Sequence, residues 1–389
     1  MFFLEGGLLV SRFSSILVAL VLVVAALFIF GCTSSAPVCG NGICQSPIED
    51  SLTCPADCGV APIITPTCGN GACDSNETSV SCPADCNAAP VTPQANDGMY
   101  QTAVIGNGGA GQIYVSSDYG VTWAPKESNR NWRGVSVSGN GEYQTTGEYG
   151  GLLYVSSDYG NTWVPKDSNR SWTGVSVSGD GKYQAAVGAT GPIYVSSDYG
   201  NTWIPKTQLS RGWEGVSVSS DGKYQTAIES TYGKFSQIYV SSDYGDTWSA
   251  VKSGGDWMGI SVSEDGKYQT AVALLNSQIF VSSDYGVTWV PKGVGKNWMG
   301  VSVSGNGKYQ TAVAVFDQIY VSSDYGDTWA PVEKAGSWNG VSVSGTGKYQ
   351  TVMESGGQIY ISSDYGSTWA PVESARTWWG VAVNRNSNN

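Results

Sequence analysis

A chain of 389 residues with 51 Gly, 22 Tyr and 15 Trp but only 13% charged residues has the composition of an all-β protein with short turns, long enough for a sizeable core and two or three domains. A formal charge of -12, with 20 Lys and Arg spread along the chain, excludes sequence-independent phosphate binding, so nucleic acid is not an expected partner. Histidine is absent, which removes the usual general base, every Ser-His or Cys-His nucleophile and the commonest metal ligand.

In chain order, residues 1–32 come first. Arg12 precedes an apolar run from Ile16 to Phe30, the length of a signal-peptide core and short of the ~20 residues a spanning helix needs. The run ends in Ile29-Phe30-Gly31-Cys32, which resembles a lipobox: Gly31 fits the pattern and bulky Phe30 departs from it. That resemblance implies lipidation at Cys32. Of nine cysteines, eight fall into two matching groups of four, which leaves Cys32 over for that role. A lipoprotein, an uncleaved membrane anchor and a released protein are the three outcomes, and each places the rest of the chain outside the cytoplasm, in the first two cases at the membrane.

Residues 33–58 and 68–86 form a duplicated module, with Cys39, Cys44, Cys54 and Cys58 in the first copy and Cys68, Cys73, Cys82 and Cys86 in the second. Each copy is too short to fold on apolar burial alone, so two disulfides per module are expected, in a connectivity that spacing leaves open. Zinc is the minor alternative. No cofactor is expected beyond calcium, for which Asn41, Glu49, Asp50 and Asp57, then Asn70, Asp74, Glu77 and Asp85, offer hard oxygen ligands. The pattern is similar to small Cys-rich modules that precede domains of archaeal and bacterial surface proteins. Residues 59–67 and 87–98, rich in Pro and Ala, read as extended spacers.

Residues 99–383 carry a repeat of 40 to 45 residues, a period that signals a propeller or solenoid. Seven octets of the form SSDYGxTW contain Asp118, Asp158, Asp198, Asp243, Asp284, Asp324 and Asp364. This S-x-D-x-G-x-T-W pattern resembles the Asp box, or bacterial neuraminidase repeat. One repeat parses into four strands, WxGVSVS, GKYQTAV, QIYVSSD and TWxPK, with Val and Ser alternating and tight Gly-rich turns between them. Proline in the fourth strand (Pro125, Pro165, Pro205, Pro291, Pro331, Pro371) assigns that strand to the outer edge, because it cannot donate to a ladder. The aspartates read as turn caps rather than catalytic or metal groups: each carboxylate can accept N–H groups of a turn in which Gly120 or its equivalent adopts the left-handed conformation.

The first repeat starts at Tyr100 without a WxGVSVS element, and the chain ends with a lone copy, Trp378 to Val383, followed by a tail of residues 384–389. Pairing that copy with the first repeat closes a seven-bladed, all-β ring and removes its free edges. In sialidases, which this repeat resembles, the active site lies on the face away from the Asp boxes, and that geometry is carried over as an expectation. On that face, Arg130, Arg170, Arg211 and Arg376 stand two residues before the first-strand Trp in four consecutive blade links, a positive arc suited to carboxylate, sulfate or phosphate. Glu148, Glu229 and Glu354 are the acid or base candidates there.

The seven first-strand tryptophans, Trp132 to Trp378, read as packing between sheets, whereas Trp379 replaces Arg133, Thr173, Glu214, Met258, Met299 and Asn339 at the following position and is the more informative aromatic, a ligand-binding candidate with the arginines. The repeat is also similar to photosystem-assembly-factor-like and sortilin-like propellers, which implies a surface for proteins or peptides. The favoured expectation is a non-catalytic, monomeric, membrane-tethered binding module for a surface glycan or extracellular protein. A sialidase-like glycoside hydrolase or lyase acting on anionic glycans is the enzyme alternative, and a purely structural role in a cell envelope is the third.

Overall fold

The computed structural model describes residues 96–106, 111–206, 210–230, 236–275, 277–333 and 335–386. The chain divides into two compact units, Met1–Pro90 and Val91–Asn389, and every described residue belongs to the second. The expected signal or anchor segment, Cys32, both Cys-rich modules with their candidate calcium ligands, the spacer 59–67, the second spacer up to 95 and the loop 231–235 lie outside the described residues.

The described residues are all-β, with twenty-six strands from β1 (Gln101–Ile105) to β26 (Trp378–Val383) and no helix. The four-stranded antiparallel meander is the recurring unit. It stands alone over 213–255, over 257–296, and where the last strand, Trp378–Val383, joins the strands of 101–125, and the other meanders join into an eight-stranded and a six-stranded sheet. The joins come from strands that run on through a link: β6 (Val164–Val177) pairs by its first half with β5 (Gln144–Ser156) and by its second half with the strand Gln184–Gly188. Period-two patterning predicts strands but does not say where a short link stays extended.

The first strands of the meanders line a common axial channel, which gives the molecule its β-propeller arrangement. Between neighbouring meanders lies the core. Trp213, for instance, is buried among Ala185, Val187, Ile193 and Val195 of the preceding unit. All seven first-strand tryptophans are 0–1% exposed, and each meets a third-strand aromatic edge-on, as Trp132 meets Tyr154 at 5.0 Å. Large flat side chains fill the wedge between twisted sheets, and edge-to-face contact suits their quadrupoles.

Each octet folds into the same hairpin. Asp118 Oδ1 accepts the Thr122 N–H (2.9 Å) and the Ser116 hydroxyl (2.8 Å), Oδ2 accepts the Thr122 hydroxyl (2.6 Å), and Trp123 Nε1 donates to Gly120 O. Gly120 is left-handed at φ 84°, and so, beyond what the sequence suggests, is Tyr119 at φ 63°. The same strain recurs in all seven octet tyrosines, and each lies against the second-strand Tyr of the preceding unit: Tyr159 on Tyr100 at 4.7 Å, and Tyr119 on Tyr349 at 4.5 Å. Inter-unit aromatic contact offsets a conformation that costs an ordinary residue about 1–2 kcal/mol.

Residues 100–105 and 378–383 pair as closure requires, from Gln101↔Val383 to Ile105↔Trp378. The following residues are more than a tail. Asn384 accepts the Tyr100 N–H on its Oδ1 (2.9 Å) and donates from Nδ2 to Asn96 O and Gly139 O, so the segments 96–100 and 384–385 together rebuild the turn that other units make from one segment. Asp97 accepts the backbone N–H groups of Gly345 and Thr346 and the Thr346 hydroxyl. Arg385 enters the channel and donates to Val262 O, Ser261 Oγ and Ser302 Oγ.

Candidate functional site

The axial channel has two chambers that share one girdle of β-branched residues: Val135, Val175, Val216, Ile260, Val301, Val341 and Val381. The chamber on the side of the Gly-rich turns, about 180 Å³, is lined by serines and stoppered by Arg385. On the opposite face, where the links between units lie, the channel opens into a mouth of about 200 Å³. Its rim is the position after each first-strand Trp: Arg133, Thr173, Glu214, Met258, Met299, Asn339 and Trp379. The repeat is nearly uniform elsewhere along this strand, so the ring makes the mouth chemically uneven where the rest of the molecule is periodic.

Around this rim the side chains are held in place from behind. Thr173 Oγ1 donates to Trp213 O (2.9 Å), and Asn339 Nδ2 donates to Trp378 O (2.6 Å), while the Asn339 Oδ1 is buried and unpartnered. The Arg133 guanidinium lies 4.3 Å from the Trp379 ring centre and 4.9 Å from that of Tyr149, two cation–π contacts that restrain it at the mouth. Burial raises the Glu214 carboxyl above the ordinary carboxylate range; Arg133 opposes that shift and Asp256 adds to it. Trp379, singled out in the sequence by its register, is thus in the mouth, and its partner there is Arg133. Arg133, Tyr149 and Glu214 were missed as site residues, although the register comparison that exposes Trp379 also contains Arg133 and Glu214.

The four arginines of the positive arc stand on the link face, each beside a carboxylate: Arg130 with Glu148 (3.5 Å), Arg170 with Asp167 (3.6 Å), Arg211 with Glu229 (3.0 Å) and Arg376 with Glu373 (3.6 Å). Each guanidinium also covers the third-strand Tyr that abuts the buried Trp, as Arg170 covers Tyr194 at 4.4 Å. Lys296 repeats the scheme with Asp317 at 2.7 Å. The arrangement caps the core of each unit and neutralises the arc pair by pair. Of the acid or base candidates, Glu148 and Glu229 are therefore ion-paired, and Glu354 sits in the register opposite Trp338, on another sheet. The octet aspartates lie at the other face as turn caps. Burial pulls their carboxyls upward, but hydrogen bonds from the octet Thr and Ser hold them below the usual range, as at Asp118.

No family model and no curated protein matches the sequence. Among solved structures, YCF48 from Cyanidioschyzon merolae is similar at TM-score 0.52 and 14% identity, over 68% of this chain and 96% of that one. A functionally unknown protein from Desulfotomaculum acetoxidans is similar at TM-score 0.59 and 12% identity, over 74% of this chain and 99% of that one. The GH74 xyloglucanase from Xanthomonas campestris matches at TM-score 0.51 and 15% identity over 74% of this chain, which spans 56% of the enzyme's length. At such identities the likeness is one of fold, a β-propeller, and says nothing of chemistry.

Proposed function

We propose that this chain is an extracytoplasmic, membrane-tethered binding protein, a seven-bladed Asp-box propeller on a disulfide-stapled stalk, whose link face takes a surface glycan or an extracellular protein without chemical turnover. The observation that carries this reading is the uneven ring at the channel mouth: near-identical repeats diverge at the register position that converges on a concave, partly apolar recess. Chain entry supports it. Residues 96–98 join the ring at the Gly-rich-turn face, beside Asn384 and Gly139, so the mouth lies on the face away from the entering segment. Inter-unit tyrosine contacts that return from Tyr349 to Tyr119 support the blade count. The arginine arc then contributes to the scaffold of the face, and the ligand contacts fall to Trp379 and Arg133.

A screen of glycans and envelope proteins against the full chain tests this reading. Binding is expected to weaken at least about tenfold in Trp379→Ala and in Arg133→Ala, as loss of a buried aromatic or Arg anchor does. A ligand that maps to the outer blade edges and ignores both changes would overturn it. The enzyme alternative, a glycoside hydrolase, has one observation in its favour: Glu214, with its raised carboxyl, feels the charge of Asp256, and glycosidases set two carboxyls to different protonation states. It requires release of reducing sugar that disappears in Glu214→Gln.

A further inference from the structure

The mouth and the loops around it carry more than a location. Four of the arginines on this face have a carboxylate within 3.6 Å, whereas Arg133 forms no ion pair among the described residues and is in contact with two aromatic rings. A guanidinium with no carboxylate in ion-pair contact keeps its fork open to one, although the Glu214 carboxyl on the same rim feels its charge.

A second feature lies in two neighbouring units. Leu275 (φ 64°) and Phe316 (φ 55°) are both left-handed, and they are 70% and 81% exposed. Each lies two residues beyond the partner of a first-strand Trp, since Trp257 pairs with Ala273 and Trp298 with Ala314: Leu275 follows the strand Gln269–Ala273, and Phe316 is the bulge residue near the end of the strand Gln310–Asp317. The turn and the bulge account for the backbone, but a large apolar side chain presented to water at each gains no burial within the chain. Between these loops and the channel, the rim of the same two units is formed by Met258 and Met299, flexible thioethers that adapt to apolar partners.

We propose that the occupant is an extended segment of a partner polypeptide, with one carboxylate on Arg133 and a bulky apolar side chain across the methionines onto Leu275 and Phe316. This rests on the binding reading above and narrows it. Charge selects against an acidic polysaccharide: the chain carries -12, the arginine arc is neutralised pair by pair, and the one mouth guanidinium without an ion pair shares its rim with Glu214, an arrangement that suits one carboxylate better than a polyanion. The exposed apolar pair selects for side chains over hydroxyl-rich sugar.

The test is selection of a random peptide library on the immobilised full chain, followed by affinity measurement of an enriched peptide and of oligogalacturonate. Enriched sequences are expected to combine Asp, Glu or a free C-terminus with Phe, Trp, Leu or Ile. The peptide should bind Arg133→Gln and the double variant Leu275→Ser/Phe316→Ser at least about tenfold more weakly, and neutralising its carboxylate should abolish the effect of Arg133→Gln. Arg133→Lys, which keeps charge and loses the fork, should fall between. Enriched peptides without that pairing, or indifferent to both variants, would overturn the proposal. Oligogalacturonate binding that needs Arg133 but not Phe316 would overturn it while leaving the binding reading intact; loss of every mouth-dependent ligand would remove both.

Discussion

At the scale of single residues, protonation works in opposite directions at the two faces. The seven octet carboxyls sit below their usual range, so the stability they contribute is complete above the pKa of an unfolded Asp, about 3.9, and drains away as pH falls through the folded value. Glu214 is shifted upward, so its penalty is absent below the unfolded Glu pKa and complete above the folded one. Thermal unfolding across pH should show a steep loss on the acid side, and Glu214→Gln should raise the melting temperature near neutrality while leaving the acid limb unchanged. An acid limb no steeper than that of a protein without these turns would contradict the hydrogen-bond assignment.

Among strands, the repeat exposes its own defects. Buried Thr hydroxyls of second strands donate to the Gln of the next unit: Thr145 to Gln184 Oε1 (2.6 Å), Thr226 to Gln269 (2.7 Å), and Thr351 to Gln101 (2.6 Å) back across the closure. Ala185 takes the Thr place in its strand, and the Oε1 of Gln225 is left buried with no partner. Ala185→Thr restores a bond for which the equivalent positions already have room, and should stabilise by about 1 kcal/mol in denaturant unfolding. A destabilised variant would mean that this wedge is narrower than its neighbours.

Over the whole molecule, closure depends on two short segments. Asn384 satisfies the Tyr100 backbone from the far end of the chain, Asp97 holds the turn of the preceding unit, and Arg385 stoppers the channel. Truncation after Val383 removes the Asn384 and Arg385 contacts yet spares β26, and should lower the melting temperature by several degrees, as loss of a few buried hydrogen bonds does. It should also make the serine-lined chamber accessible from the Gly-rich-turn face. An unchanged melting temperature would show that strand pairing alone closes the ring.

Repetition made the strands, the octet turns, the outward proline edge and the partner of the last strand legible in the amino-acid sequence, because each follows from local periodicity and from turn chemistry that recurs. The strained tyrosines, the tail built into the ring and the neutralised arginines were not legible, since they depend on which side chains meet across units. Arg130 and Glu148 are 18 positions apart, yet they become an ion pair only when the second strand folds back beside the first. Likewise, Arg133 and Trp379 are distant in sequence and meet because the ring returns β26 to the first unit, beside the first strand of the second. Local chemistry can be read one repeat at a time, whereas a charge is free or paired only in the company that tertiary structure supplies.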